Sequence, residues 1–312
     1  MKEQASAHGF DILMIMLRRH VHSTSRSVLE DLRAKGIQVV PVDWDLPPGT
    51  WVPVMRSGEI FHTGMQKGWC GPMDLMRLHI FGLASYDAVM YVDGDVELQG
   101  DVTPVLRCAA TGRLLTTSGT MAPVNFAMIA TRPDERMLRA AEIFARNSSF
   151  TRVDGWAGGG YRPSDSKYIG AECGQGFMHT LYYKATTNAL AYWSLKEAGI
   201  LPEDVKADQL DRCIWNYHGH EKCGVAGKTF DCSLVRVHHK PKDPTQGSCT
   251  KLRERGVGKR SQLTAPLCRL SPSVTPRECC SPPCDLRTLR RYVCLGTRRS
   301  PRRRGLLERE QV

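Results

Sequence analysis

The sequence predicts an α/β protein built on a mainly parallel sheet. Short apolar runs of strand length alternate along the chain with stretches whose apolar residues recur at helical spacing. Such alternation is typical of layered folds in which helices cover a sheet. Apolar residues make up 41% of the 312 residues, which is enough to pack a core. No apolar stretch approaches the roughly 18 residues of a membrane span, and the polar N-terminus is not that of a signal peptide.

Two strands and a helix are predicted near the start of the chain. Residues 10–17 form an apolar run of strand length, and residues 37–42 form a second one. Between them, a helix that ends at Gly36 is predicted by a stripe of apolar side chains, namely Val28, Leu29 and Leu32.

A similar alternation continues through the middle of the chain. Pro72 is well placed at the start of a helix, whose apolar stripe consists of Met73, Met76, Ile80, Phe81 and Leu83. Residues 88–92 and 124–130 predict two buried strands, and residues 133–146 predict an amphipathic helix.

The net charge of +11 is confined to the end of the chain. Residues 1–250 hold 27 basic and 27 acidic side chains, whereas residues 251–312 hold 16 basic and 5 acidic ones. The second segment also contains 6 of the 18 prolines, and its run of arginines repels itself. We therefore expect a folded domain over residues 1–250 and a disordered basic tail over 251–312. Nucleic-acid binding is not expected, because no folded reader module accompanies the tail.

Two carboxylates separated by one glycine follow the predicted strand 88–92. Ligands of open α/β sheets bind beyond the carboxyl ends of the strands. Gly94 permits a bent backbone, so that Asp93 and Asp95 can point at one place. Two converging carboxylates form a hard oxygen site suited to Mg²⁺ or Mn²⁺. The alternative is a simple turn, because Asp-Gly is also a common turn pair.

Several motifs of the chain resemble glycosyltransferase family 8, the group of glycogenin and galactinol synthase. The resemblance covers roughly residues 10–245 and is clear only in segments 77–83, 86–95, 100–106, 124–133 and 237–241. Members of this family are retaining enzymes that use nucleotide sugars as donors. The resemblance implies the GT-A fold, a Rossmann-like three-layer α/β/α arrangement with a mainly parallel mixed sheet, and makes residues 1–250 the catalytic domain.

The resemblance also implies roles for single residues. Asp93 and Asp95 match the aspartate pair that binds Mn²⁺, or Mg²⁺, and through it the donor diphosphate. Arg77 matches a basic residue that contacts the donor, and Asn125 matches the asparagine that lines the sugar pocket.

The third metal ligand of the family is a histidine that ends a late strand. Residues 239–241, His-Lys-Pro, look like the core of that motif, and His239 shares a strand face with Val237. We therefore choose His239 over His238 as the ligand. Lys240 is then expected to face the donor diphosphate.

Two features depart from the family pattern. Many members carry Asp-Gln-Gly near the reaction centre, whereas this chain has Gly174 in the place of the aspartate. We expect Glu172 and Gln175 to be the catalytic residues there, with Asp208 or Asp211 approaching from elsewhere as the alternative to Glu172. The family also begins with a strand and a helix that hold the nucleotide base, and this chain starts at the next strand.

The implied activity is transfer of a hexosyl unit from a UDP-sugar to a hydroxyl of a glycan, polyol or protein. A rival hypothesis is a haloacid-dehalogenase-type phosphatase, in which Asp93 is the nucleophile and Asp95 the acid/base. That phosphatase needs a later strand ending in paired aspartates for Mg²⁺. A non-catalytic remnant, or a protein that binds partners through its basic tail, is the alternative that is not an enzyme.

The cysteines and one sequon indicate the cellular compartment in which the protein folds. Seven of the twelve lie before residue 250, and the last four of these suit disulfides in an oxidising lumen, namely Cys213, Cys223, Cys232 and Cys249. Asn147-Ser148-Ser149 is an N-glycosylation sequon. We expect a Golgi or other secretory lumen, with a cytosolic enzyme that carries reduced thiols as the alternative.

Overall fold

A computed structural model describes residues 9–43, 72–119, 123–151, 154–159, 173–218, 223, 232–239 and 292–297. The strands within these residues are β1 (Asp11–Leu17), β2 (Ile37–Val42), β3 (Ala88–Asp93), β4 (Val96–Leu98), β5 (Leu114–Thr117), β6 (Asn125–Thr131), β7 (Phe150–Thr151), β8 (Gly155–Trp156), β9 (Ala207–Leu210), β10 (Val237–His239) and β11 (Tyr292–Thr297). The α-helices are α1 (Arg18–Ser23), α2 (Arg26–Ala34), α3 (Thr103–Ala109), α4 (Glu135–Asn147), α5 (Gly174–Met178), α6 (Ala189–Glu197) and α7 (Arg212–Trp215).

The remaining helical segments are not α-helices. Three of them are 3₁₀-helices, at Pro72–Gly82, Pro202–Asp204 and Cys232–Leu234, and His179–Tyr183 is a π-helix that continues α5. None of the helices in the described ranges is both long and apolar enough to cross a membrane.

The main sheet has seven strands in the order β2-β1-β11-β3-β6-β5-β9. Neighbours run parallel from β2 through β1 and β11 to β3, and β5 and β9 are also parallel. Strand β6 is antiparallel to both of its neighbours, β3 and β5. The predicted α/β class with a mainly parallel mixed sheet is therefore confirmed.

Apolar side chains cover both faces of this sheet. Val89 and Tyr91 of β3 belong to one cluster, which also contains the buried faces of Pro72–Gly82, α4 and α6. Met90 and Val92, which point to the opposite face, belong to a second cluster with α3. Because β3 is buried on both faces, its sequence is continuously apolar until it reaches Asp93.

Most of the predicted elements lie close to their predicted positions. Strand β2 has the predicted bounds, β1 and β3 each differ from the prediction by one residue at one end, and β6 is shifted by one residue at both ends. Helix α4 begins after Asp134, whose carboxylate caps it by accepting the Arg136 backbone N–H at 2.9 Å. The helix predicted from Pro72 is a 3₁₀-helix. Apolar spacing does not separate the two helix types, because residues three apart share a face in both.

The structure corrects the predicted tail at one segment. Strand β11 lies in the centre of the sheet, where it pairs in parallel with β1 on one side and with β3 on the other. The composition of residues 251–312 as a whole indicates disorder, but Tyr-Val-Cys-Leu-Gly-Thr is a run of strand length with residues that favour strands. The other residues of the predicted tail lie outside the described ranges. The domain boundary at residue 250 therefore does not hold for Tyr292–Thr297.

His179 makes the stability of the fold depend on pH. Its side chain is 9% exposed and its ring stacks on Tyr183, with ring centroids 5.2 Å apart. Burial, reinforced by nearby Lys184, lowers the pKa of His179 from 6.5 to about 4. The unfolded chain therefore takes up a proton at a higher pH than the folded chain, and stability present above pH 6.5 is lost as the pH falls toward 4.

We expect His179→Phe to weaken this dependence. As the pH falls from about 7 to about 5, the titration of His179 should lower the free energy of unfolding of the wild type by about 2 kcal/mol. Phenylalanine cannot take up a proton, so that the variant lacks this contribution. Urea unfolding of both proteins at the two pH values measures the difference. His79, whose burial also lowers its pKa to about 4, supplies a remaining dependence in the variant. An unchanged pH dependence in His179→Phe would contradict the assignment.

Candidate metal centre

Asp93, Asp95 and His239 come together beyond the end of β3. One possible ligand atom from each residue, a carboxylate oxygen or an imidazole nitrogen, lies within 4.8 Å of those of the other two. Asp93 is the last residue of β3, and Asp95 directly precedes β4. The carboxylates are partly exposed, whereas His239 is buried. The group therefore sits at the sheet edge where ligands of α/β proteins bind.

Pairing between β10 and β4 brings His239 to the aspartates. The two strands are antiparallel, with Val237 opposite Leu98 and His239 opposite Val96. Because Val96 follows Asp95 directly, this register places the end of β10 beside the carboxylate pair. His239 Nε2 lies 3.4 Å from Asp95 Oδ1.

His238 points to the other side of β10. Its Nδ1 lies 3.1 Å from Gln99 Nε2, and its ring packs against Tyr217 with centroids 5.4 Å apart. Burial is the largest influence on His238 and lowers its pKa, so the ring is neutral at physiological pH. His238 is not a member of the group with Asp93 and Asp95.

Arg77 and Tyr91 contact Asp93. The Tyr91 hydroxyl donates a hydrogen bond to Asp93 Oδ1 at 2.7 Å, and Arg77 Nη2 lies 3.6 Å from the same oxygen. The Arg77 guanidinium also lies over the Tyr91 ring, 5.0 Å from its centroid. These contacts orient the Asp93 carboxylate and place one fixed positive charge beside the site.

Gln175 and Arg77 both bind the backbone of Phe126. Arg77 Nη1 donates to the Phe126 carbonyl at 3.1 Å, and the Phe126 N–H donates to Gln175 Oε1 at 3.1 Å. The side chain of Asn125 accepts the Ala127 N–H at 2.8 Å. Because β6 is antiparallel to β3, the start of β6 lies at the same sheet edge as Asp93. Arg77, Asn125 and Gln175 therefore occupy the neighbourhood of the metal centre.

The other proposed site residues do not join this group. The Asp208 carboxylate, which is 3% exposed, is held by both Arg113 Nε and Arg113 Nη2. The Asp211 carboxylate caps α7 by accepting the Cys213 N–H at 2.9 Å. Glu172 and Lys240 lie outside the described residues. Neither aspartate offered as an alternative to Glu172 is thus directed at the metal centre.

The three clustered residues fit a divalent cation. Two carboxylates supply hard oxygen ligands, which suit Mn²⁺ and Mg²⁺, and a neutral imidazole is a common ligand of first-row metals. The ligands also come from different parts of the fold, so that they can lie on different sides of one ion. We conclude that the donor set matches the proposed metal.

Asn216 and His218 contribute to the site but were not expected from the sequence. Asn216 Oδ1 lies 3.2 Å from His239 Nδ1, and His218 Nε2 lies 2.9 Å from the same nitrogen. They follow α7, whose Cys213 forms a disulfide with Cys223. An isolated asparagine in a loop carries no recognisable signal in one sequence. His218 is of a residue type that often binds metals, but its place in the sequence does not connect it with Asp93 or His239.

Comparisons with known proteins do not assign the chain to a family. No protein-family model matches it, and no curated protein matches it. The function of the chain is therefore inferred from the metal centre and the residues around it.

Proposed function

We propose that this chain is a metal-dependent, retaining glycosyltransferase with a GT-A fold. It transfers a hexosyl unit from a nucleotide sugar, with uridine diphosphate as the leaving group, to a hydroxyl of a glycan, polyol or protein. The observation that supports this most strongly is the grouping of Asp93, Asp95 and His239 within 4.8 Å at the carboxyl end of β3. These are the residues that the family resemblance pairs with metal and diphosphate binding.

The surrounding residues suit the chemistry of this transfer. A divalent ion held by Asp93, Asp95 and His239 would supply positive charge to the departing diphosphate. Arg77, 3.6 Å from Asp93, adds a second positive charge at the same sheet edge. The Tyr91 hydroxyl and the Arg77 guanidinium already hold the Asp93 carboxylate in place, which favours a site that does not have to rearrange during the reaction. The bond between the anomeric carbon and the diphosphate oxygen breaks, the acceptor hydroxyl bonds to that carbon on the same face, and the proton of the hydroxyl passes to the departing diphosphate.

The same geometry favours a transferase over the phosphatase hypothesis. The phosphatase requires further aspartates as metal ligands, whereas the described residue that groups with Asp93 and Asp95 is a histidine, His239. Asp208 and Asp211, the aspartates closest to the required pattern, have structural partners in Arg113 and α7. The grouping with a histidine therefore supports the transferase.

A secretory lumen is the compartment that we propose. Cys213 and Cys223 form a disulfide, with Cα atoms 5.7 Å apart, and disulfides persist mainly in oxidising compartments. Asn147 of the sequon lies exposed at the end of α4. Both features suit a lumenal enzyme.

Thermal unfolding with a panel of donors tests the proposed activity. We expect UDP and one UDP-sugar to raise the Tm of the full chain in the presence of Mn²⁺, because ligands that bind only the folded state stabilise it. EDTA should remove the shift. Incubation with the UDP-sugar identified in this way should then release UDP. Stabilisation by no nucleotide diphosphate, or hydrolysis of a phosphomonoester instead, would contradict the proposal.

A further inference from the structure

The two ring nitrogens of His239 face different surroundings. Nε2 faces the carboxylates and lies 3.4 Å from Asp95 Oδ1. Nδ1 faces the loop after α7, where it lies 3.2 Å from Asn216 Oδ1 and 2.9 Å from His218 Nε2. A histidine binds a metal through a nitrogen without a proton, so that the tautomer of His239 decides whether Nε2 can be a ligand.

Asn216 is placed to select that tautomer. Its side-chain Nδ2 donates to Thr117 Oγ1 at 3.0 Å, and its amide oxygen faces His239 Nδ1. An amide oxygen only accepts hydrogen bonds, so that Nδ1 must carry the proton and Nε2 keeps its lone pair for a metal. Asn216 and Thr117 are both fully buried, and water does not compete for these bonds.

The backbone holds this loop against β10. Tyr217 N–H donates to the Val237 carbonyl at 3.0 Å, and His239 N–H donates to the Tyr217 carbonyl at 2.9 Å. Asn216 and His218 flank Tyr217 and reach the same imidazole nitrogen. A disulfide also links Cys213 of α7 to Cys223, ten residues further along the chain.

We propose that Asn216 is a positioning residue of the metal centre, which holds His239 with its proton on Nδ1 and so makes Nε2 available to the ion. His218 assists by accepting from the same Nδ1–H. This inference depends on the proposed function, because it assumes that His239 is a metal ligand. Hydrogen-bonded partners of this kind typically change metal affinity by about 10- to 100-fold.

Three substitutions of Asn216 separate this role from simple packing. Asn216→Leu has a similar shape but no acceptor, and we expect it to weaken Mn²⁺ binding by about 10- to 100-fold. Asn216→Asp keeps an acceptor and loses the amide donor, and we expect it to bind Mn²⁺ within a few-fold of the wild type. Asn216→Ala should resemble the leucine variant. Titration calorimetry of the full chain with Mn²⁺ alone measures these affinities, and unfolding without metal compares the stabilities.

The outcomes distinguish this inference from the proposed function. Wild-type affinity in Asn216→Leu, or loss of binding only in Asn216→Asp, would overturn the positioning role and leave the metal centre intact. A wild-type chain that binds no Mn²⁺ would contradict the metal centre and the positioning role together.

A second measurement needs no variant of Asn216. The ¹⁵N shifts of histidine in the metal-free full chain report the tautomer of each ring, and comparison with His239→Gln identifies the signals of His239. We expect the tautomer with a proton on Nδ1. A neutral ring with its proton on Nε2 would overturn the proposal even if the Asn216 variants fail to fold.

Discussion

Asp95→Asn is expected to abolish Mn²⁺-dependent transfer or hydrolysis of the donor sugar. Asp95 directly precedes β4, and its Oδ1 lies 3.4 Å from the imidazole of His239. The group consists of two aspartates and one histidine, so that Asp95 supplies one of its two carboxylate ligands. Asparagine keeps the shape but removes the negative charge that attracts the cation. Loss of charge stabilisation worth several kcal/mol lowers the rate by more than about 100-fold. UDP release from the donor measures this loss.

The matched control is Asp204→Asn. It makes the same chemical change at an exposed residue of the 3₁₀-helix Pro202–Asp204, away from β3 and β10. We expect the activity of this variant to equal that of the wild type. Activity retained by Asp95→Asn would remove the carboxylate pair from the mechanism.

Disruption of β11 is expected to have the largest effect on the fold. Leu295 pairs with Leu13 of β1 and with Tyr91 of β3, so that β11 joins the pair β2-β1 to the strands from β3 to β9. Proline has no N–H and cannot continue a ladder in a central strand. Leu295→Pro leaves a buried partner without its hydrogen bond and should therefore lower the free energy of unfolding by about 1–3 kcal/mol for that loss alone, as measured by urea denaturation.

Two further variants of this chain complete that test. Leu295→Ala keeps the backbone N–H and separates the effect of the ladder from that of the side chain. A chain ending at residue 250 lacks β11 altogether, and we expect it to unfold at a lower temperature than the full chain. A truncated chain with the full stability, together with an unaffected Leu295→Pro, would restore the domain boundary predicted from composition.

The parts of the site that are local in sequence were the predictable ones. The continuous apolar run of β3 and the carboxylates after it are adjacent in the chain, and burial on both faces leaves a clear pattern. The position of His239 depends instead on the register of β10 against β4, which are about 140 residues apart. Periodicity alone contains no information about such a pairing, and only the family resemblance pointed to it.

Asn216 and β11 were not predicted from the sequence for a similar reason. Asn216 acts through a hydrogen bond to His239 that exists only after β10 is in place. Strand β11 is six residues long and lies within a segment whose average composition indicates disorder. In both cases tertiary pairing outweighs the local signal, because hydrogen bonds to distant strands supply the stabilisation.

A crystal structure of the full chain with Mn²⁺ and UDP shows directly whether Asp93, Asp95 and His239 hold the metal that binds the donor diphosphate. An anomalous difference map locates the manganese independently of any assumption about the site. We expect a single strong peak bonded to Asp93, Asp95 and His239 Nε2, with the diphosphate of UDP bound to the same ion. Manganese bound elsewhere, or UDP bound at a distance from these three residues, would contradict this expectation.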